Sequence, residues 1–525
     1  MTHNAQHTIG GGGNFGPGPL RVLLVSTYEL GRQPFSVASP AAWLTAEGAV
    51  VEMLDLALEP LSHEALERAH LIAFSVPMHT ATRLALHYLP TVRSVNPDAA
   101  ICYFGLYAGM NEQHVRSAGV DFVLAGEYEE GLVQVARLVN AKRRAGPAPG
   151  PPPPTLSMAR QRFLVPYRSG FPSLDRYARL VTEEGERIVG STEATRGCKH
   201  LCRHCPIVPV YEGRFRVVQR EVVLEDIRQQ VRAGATHITF GDPDFFNGPA
   251  HSIAIVRALH EEFPHVTYDV TIKIEHLIKH GNLIPVLKET GCLFVTSAVE
   301  AFDEPTLEAL QKNHTKLDVV RVVRRFGDEG LHLSPTFVPF TPWTTTRSYI
   351  DLLEAISELG LVESVAPVQY AIRLLIPQGS LLLELPFVQE CTQAFDPASL
   401  AFPWVHPSPE VDLLHSRILD LVERGVASGA ARRSVFADVW SLAAEGDGHV
   451  QPTASAGAPA ERIIPHLTEQ WYCCAEPTEL QLGVPQGPDD RVSGPGHAAA
   501  PIALVTGDGN NLLQSSCYRV TVTEG

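Results

Sequence analysis

At 525 residues the chain is too long for one ordinary hydrophobic core, so two to four domains are expected. Hydrophobic content of 45% and charged content of 19% describe a soluble globular protein, and a net charge of −16 argues against general binding to nucleic acid or anionic membranes. No apolar run reaches the roughly 18 residues that would span a bilayer.

Residues 1–18 carry Gly and His without an apolar core, so they are expected to be disordered and not a secretory signal. The nine cysteines are an odd number with three clustered, which suits a reducing cytoplasm with metal-bound and free thiols, not a disulfide framework. From 19 to 143 short apolar runs alternate with amphipathic stretches. Strands are expected at 21–26, 50–54, 71–75, 99–104 and 120–125, and helices at 40–47, 64–69, 80–95 and 129–140. That rhythm implies a doubly wound, Rossmann-like parallel sheet, which binds ligands beyond the carboxyl ends of its strands. Ser26, Thr27, Ser75, Gly105, Gly126 and Glu127 lie at those ends.

Residues 144–162 form a linker, and Gly146-Pro-Ala-Pro-Gly-Pro-Pro-Pro-Pro154 favours extended polyproline as a semi-rigid spacer. The core follows at 163–385. A strand over 187–195 feeds Arg196-Gly197-Cys198-Lys199-His200-Leu201-Cys202-Arg203-His204-Cys205-Pro206. A loop with thiols at Cys-x3-Cys-x2-Cys spacing can place three sulfurs on one metal centre, an iron–sulfur cluster or zinc. Zinc would need His200 or His204 as a fourth ligand. A cubane held by three thiolates keeps one iron open, which is a catalytic arrangement. Gly197 permits the tight backbone that the loop requires. Beyond it, strands at 237–240, 266–273, 293–299, 331–338 and 368–375 alternate with helices at 221–233, 252–263, 275–290, 306–311, 317–326 and 349–359. The expectation is a partial barrel of six βα units with its chemistry at the strand ends. Those ends offer Gly241, Asp242, Lys273, Glu300 and Arg373, whereas His237, Cys292 and Cys102 read as core side chains. In 386–482 two amphipathic helices, 410–426 and 428–445, are expected to cover the open side of the barrel. Trp471-Tyr472-Cys473-Cys474-Ala475-Glu476-Pro477 follows, and 483–525 is Gly/Pro-rich, aperiodic and expected to be disordered.

The cysteine spacing with this strand–helix alternation resembles the radical S-adenosylmethionine (radical SAM) superfamily. The resemblance implies a [4Fe–4S] cluster on Cys198, Cys202 and Cys205, S-adenosylmethionine on the open iron, and a 5′-deoxyadenosyl radical after one-electron cleavage. It also implies an electron donor such as flavodoxin or ferredoxin. Gly241-Asp242-Pro243 stands at the family's Gly-Gly-Glu-like turn for the cosubstrate amino group. Glu300 would reach the ribose hydroxyls or the amine, and Arg373 a carboxylate. His204 stands where members carry an aromatic residue. The run Val120-Asp-Phe-Val-Leu-Ala-Gly126-Glu127-Tyr-Glu-Glu resembles the cobalamin-binding domain that precedes many such cores, which would put Ser75, Gly105 and Gly126 along the nucleotide tail. The chain has no Asp-x-His-x-x-Gly motif to supply a cobalt imidazole. Residues 471–477 resemble the tail of a radical SAM group named for its Cys-Cys-Ala-Glu-Pro or selenocysteine-Ala-Glu-Pro ending. That match would make Cys473 or Cys474 a reactive thiol. Together these resemblances imply a radical SAM enzyme acting on a small-molecule or peptide substrate, with methyl transfer if cobalamin binds. A rearrangement or thiol-linked modification is the alternative without it. The residues alone also admit a non-catalytic zinc or iron–sulfur scaffold or a redox sensor.

Overall fold

The computed structural model describes residues 18–445 and 463–469. Cys473, Cys474 and the tail lie outside the described residues.

Two α/β layers follow one another. In the first, β1 (Arg21–Ser26), β2 (Val50–Asp55), β3 (Leu71–Ser75), β4 (Ala100–Phe104), β5 (Phe122–Gly126) and β6 (Leu156–Ser157) pair in parallel in the order β2-β1-β3-β4-β5-β6. The apolar runs are continuous because both faces are covered. Leu23, Val25, Ile72 and Phe74 pack into one core, while Val22, Leu24, Leu71 and Ala73 pack into another. The strand β6 arises within the proline-rich linker. Gly126 permits this, since a Cβ there would lie 2.2 Å from the Ser157 carbonyl oxygen, and its φ is +71°.

The second layer contains β7 (Arg179–Thr182), β8 (Gly185–Thr192), β11 (His237–Phe240), β12 (Thr267–Thr271), β13 (Cys292–Glu300), β14 (His332–Phe337) and β15 (His466–Leu467). Their order is β14-β13-β12-β11-β8-β7-β15. The run from β8 to β14 is parallel, whereas β7 and β15 close the edge antiparallel. A small ribbon of β9 (Thr195–Gly197) and β10 (Phe215–Val217) carries the cysteine loop.

The expected strand over 368–375 is corrected. That stretch forms a 3-10 turn, Pro367–Tyr370, and touches the sheet through one parallel bridge between Phe340 and Arg373. Pro367 and Pro377 flank it and cannot donate to a ladder, so the apolar side chains pack without one. The expected helix over 275–290 divides into Ile274–Lys279 and Ile284–Glu289, with Gly281 and Pro285 at the break. Helices Pro409–Ala427 and Arg432–Ala443 occur where the amphipathic stripe indicated, burying Val411, Leu414, Ile418 and Trp440. His237, Cys102 and Cys292 are core residues, and His237 is held between Thr267 and Asp269.

Candidate active site

All parallel strands of the second layer point their carboxyl ends to one rim, and the cysteine loop leaves that rim directly after β9. Gly197 has φ +75°, and a Cβ on it would stand 2.3 Å from the Tyr211 ring, so no larger residue fits. The loop then curls tightly, with the Cys205 amide donating to the Cys202 carbonyl at 3.1 Å. The Arg203 amide donates to the Leu310 carbonyl, also at 3.1 Å, which fastens the loop to the segment after β13.

Cys202 is buried, while Cys198 and Cys205 are half-buried. Burial pushes the Cys198 thiol up to about 12, and Asp244 and the other two thiols add to the shift. Burial also raises the Cys202 thiol, with Lys312 and Lys273 pulling the other way. Three thiols that bear on one another, two of them resisting ionisation alone, form a site that a multinuclear cation would complete. The donor set therefore fits an iron–sulfur cluster.

Glu300 ends β13 at a register shift and holds φ +70°, which a non-glycine residue adopts only under constraint. Its Oε1 accepts from Lys312 Nζ at 3.1 Å and lies 3.1 Å from His204 Nε2. Burial raises the Glu300 carboxyl, but the Lys312 and His204 contributions outweigh it and bring it down to about 2. The His204 that replaces the family's aromatic residue thus ties the third cysteine to β13. His314, two residues past Lys312, has both ring nitrogens buried without a hydrogen-bond partner among the described residues. Burial, Lys312 and Lys273 depress it to about 4, so it presents a neutral ring beside two ammonium groups. Such orphaned nitrogens at the rim fit a bound polar cosubstrate.

The remaining strand-end residues are engaged by the protein itself. Asp242 accepts from the Ala194 amide at 2.9 Å and from Thr195 Oγ1 at 2.6 Å, which braces the entry to the cysteine loop. Burial pushes its carboxyl up to about 7. Gly241 faces Glu193, Thr192 and Arg32. Arg373 donates to Asp412 and to the Trp404 carbonyl, each at 2.8 Å, and stacks 3.6 Å over the Trp404 ring. The carboxylate it meets is this chain's own.

The residues expected along a cobalamin tail also contact the protein itself. Ser75 Oγ lies 2.6 Å from Ser36 Oγ, and Gly126 is covered by β6. A Cβ on Gly105 would come within 3.0 Å of the Val76 backbone. Each of the three thus makes a close contact within the protein.

Beside these strand ends, Arg196 crosses to the first layer. Its Nη1 stands 2.6 Å from Glu129 and its Nε 2.9 Å from Glu193, and the guanidinium lies 5.2 Å from the Tyr128 ring centroid.

Inside the barrel a cavity of about 660 Å³ is lined by alternate residues of three strands, Asp269 and Thr271, Phe294 and Thr296, Ser334 and Thr336. The segment 463–469 walls it on one flank through Ile463, His466 and Glu469. The volume suits a small molecule.

Comparison with known proteins gives the site a context. Residues 192–358 match the Radical SAM superfamily, so the chain carries a radical SAM domain, which implies a [4Fe–4S] cluster and S-adenosylmethionine. The ribosomal protein uS12 methylthiotransferase RimO of Parabacteroides distasonis is 23% identical over 185 residues, covering 31% of this chain and 40% of that protein. The hopanoid C-3 methylase of Methylococcus capsulatus is 23% identical over 304 residues, covering 55% of this chain and 58% of that protein. The chain thus spans less than two thirds of either relative. Among solved structures, the radical S-adenosylmethionine methyltransferase TsrM from Kitasatospora setae, with tryptophan and a SAM analogue bound, has a TM-score of 0.56 at 16% identity. That match covers 83% of this chain and 92% of TsrM. OxsB, with aqua-cobalamin and S-adenosylmethionine bound, has a TM-score of 0.59 at 13% identity, covering 78% of this chain and 67% of OxsB. These two likenesses are of fold.

Proposed function

We propose that the chain is a radical SAM enzyme whose cluster sits on Cys198, Cys202 and Cys205 and whose substrate occupies the barrel cavity. The observation that carries this reading is the convergence of three mutually interacting thiols at a parallel strand-end rim, beside a buried His314 whose nitrogens have no partner. Cys198, Cys202 and Cys205 would hold the cluster, which together with S-adenosylmethionine would supply one-electron radical chemistry at an unactivated C–H bond of the substrate. The chain's own residues hold and shield. Lys312 and His204 fix Glu300 beside Cys202 and Cys205, Lys273 and His314 offer contacts for the cosubstrate, and 463–469 keeps water from the cavity flank.

Methyl transfer is the reaction class that the methylase and methyltransferase relatives favour. A cobalamin-dependent form is the second reading, supported by the likeness of fold to TsrM and OxsB. It requires Ser75, Gly105 and Gly126 to open.

Anaerobic reconstitution with iron, sulfide, S-adenosylmethionine and a one-electron reductant tests the primary reading. The expected product is 5′-deoxyadenosine, with iron, sulfide and product all lost in Cys198→Ala. One zinc per chain with no iron–sulfur absorption would overturn it in favour of a scaffold. A shifted cobalt spectrum on adding methylcobalamin would favour the second reading.

A further inference from the structure

The cluster loop carries a histidine that the radical reading leaves unused. His200 lies between Cys198 and Cys202. Its Nε2 stands 3.3 Å from Asp244 Oδ2, and His276 Nδ1 stands 2.7 Å from the same oxygen. The side chains of His200, Asp244 and His276 are only 9%, 2% and 1% exposed. All three atoms lie within 4.8 Å of one another. Two imidazole nitrogens thus face one carboxylate oxygen in a buried spot, at a spacing close to that of ligands around a single ion.

We propose that His200, Asp244 and His276 form a second metal site, separate from the cluster thiols, for a divalent first-row transition ion such as zinc or ferrous iron. Two imidazoles and one carboxylate are the ligand set these ions take, and three protein ligands leave a coordination position for water or a ligand. The spacing agrees. Bonds of roughly 2.0–2.1 Å in a tetrahedral site put ligand atoms about 3.3 Å apart. The His200–Asp244 gap already has that value, and His276 must withdraw by about 0.6 Å for a bond of that length. The Asp244 carboxylate is also correctly divided, because Oδ1 accepts from the Phe246 amide at 2.9 Å and leaves Oδ2 for the ion. With the ion on Nε2, the His200 Nδ1 proton faces Glu275 Oε2 at 3.5 Å, the outer carboxylate that orients a metal-bound imidazole. Lys273 Nζ, which can only donate, is 3.4 Å from that same nitrogen, so ion binding at Nε2 also requires it to give up that contact and keep Glu275 at 3.1 Å as its partner. The three ligands come from the cysteine loop, the turn after β11 and the helix Ile274–Lys279. The ion therefore cross-links the loop to two neighbouring strand ends.

The test is metal analysis of the full chain, reconstituted anaerobically with iron and sulfide, incubated with zinc sulfate and desalted. One zinc per chain beyond four iron and four sulfide is expected. In Asp244→Asn and His276→Gln, zinc affinity should fall at least tenfold with iron and sulfide retained. No zinc beyond the cluster, or unchanged zinc binding in both variants, would overturn the proposal. Should a variant lose iron as well, the unsubstituted reconstituted chain decides by cobalt(II) titration. Visible ligand-field bands without a thiolate-to-cobalt charge-transfer band support the site, and a thiolate band or no bands at all overturns it.

Discussion

Glu300 shows how one carboxylate can organise a reactive rim. Its charge is set against a buried ammonium, and removing one partner of a buried pair costs more than the pair contributes. Glu300→Gln should destabilise the chain by about 3–5 kcal/mol, read as a lower urea midpoint with Lys312 left unpaired. Loss below about 1 kcal/mol would mean that Lys312 relaxes to water. His79 gives a pH-dependent counterpart away from the rim. Its Nε2 lies 2.5 Å from the Ser399 carbonyl oxygen, joining the first layer to the C-terminal extension. Burial lowers it to about 4, against a weaker opposing effect of that carbonyl. Folding therefore favours the neutral ring, so its contribution is complete above pH 6.5 and is lost as pH falls from there through about 4. The loss is on the order of 3 kcal/mol. Unfolding titrations of His79→Gln should be flatter over that interval. The three cysteines were legible because their spacing is local. Lys312 and His204 as partners of Glu300 were not, since they are 12 and 96 positions away and only the fold brings them together.

At the level of elements, the five strands of the first layer and most of the barrel could be read from runs of apolar residues, because a strand buried on both faces leaves an unmistakable run. The same signal misled at 368–375, where every residue but Arg373 is buried yet the flanking prolines prevent a ladder. The strand β6 was invisible because Leu156-Ser157 has no pattern of its own and exists only where Gly126 makes room. Gly126→Ala should break that pairing, since the added methyl meets backbone oxygen. The expected readout is faster proteolytic cleavage within residues 144–162, with the far-ultraviolet spectrum of the rest nearly unchanged. Cleavage at the parental rate would show that the pairing is not what protects the linker.

Across the whole molecule, the two layers are joined by a charge that immediately precedes the cluster loop. Arg196 satisfies Glu129 of the first layer and Glu193 of the second, and Tyr211 reaches back to Glu127 at 3.1 Å. Replacing it by Met keeps much of the volume but leaves those acids buried without their cation. Arg196→Met should cost about 3–5 kcal/mol and, because Gly197 and Cys198 follow directly, lower the iron retained after reconstitution. A stable variant with full iron content would show the layers to be independent. Nothing in the order of residues announced this bolt, because its members lie up to 84 positions apart.

Among the described residues, the wall at 463–469 is held by two residues of β15 paired with Leu180 and Val181, by Thr468 bonded to Arg179, and by Glu469 accepting from Tyr28. A partition hung on so short a seam can be peeled back at little cost. Guests too bulky for the rim then have a side door, and how quickly that door swings, not the bond-breaking step, would set the pace of turnover.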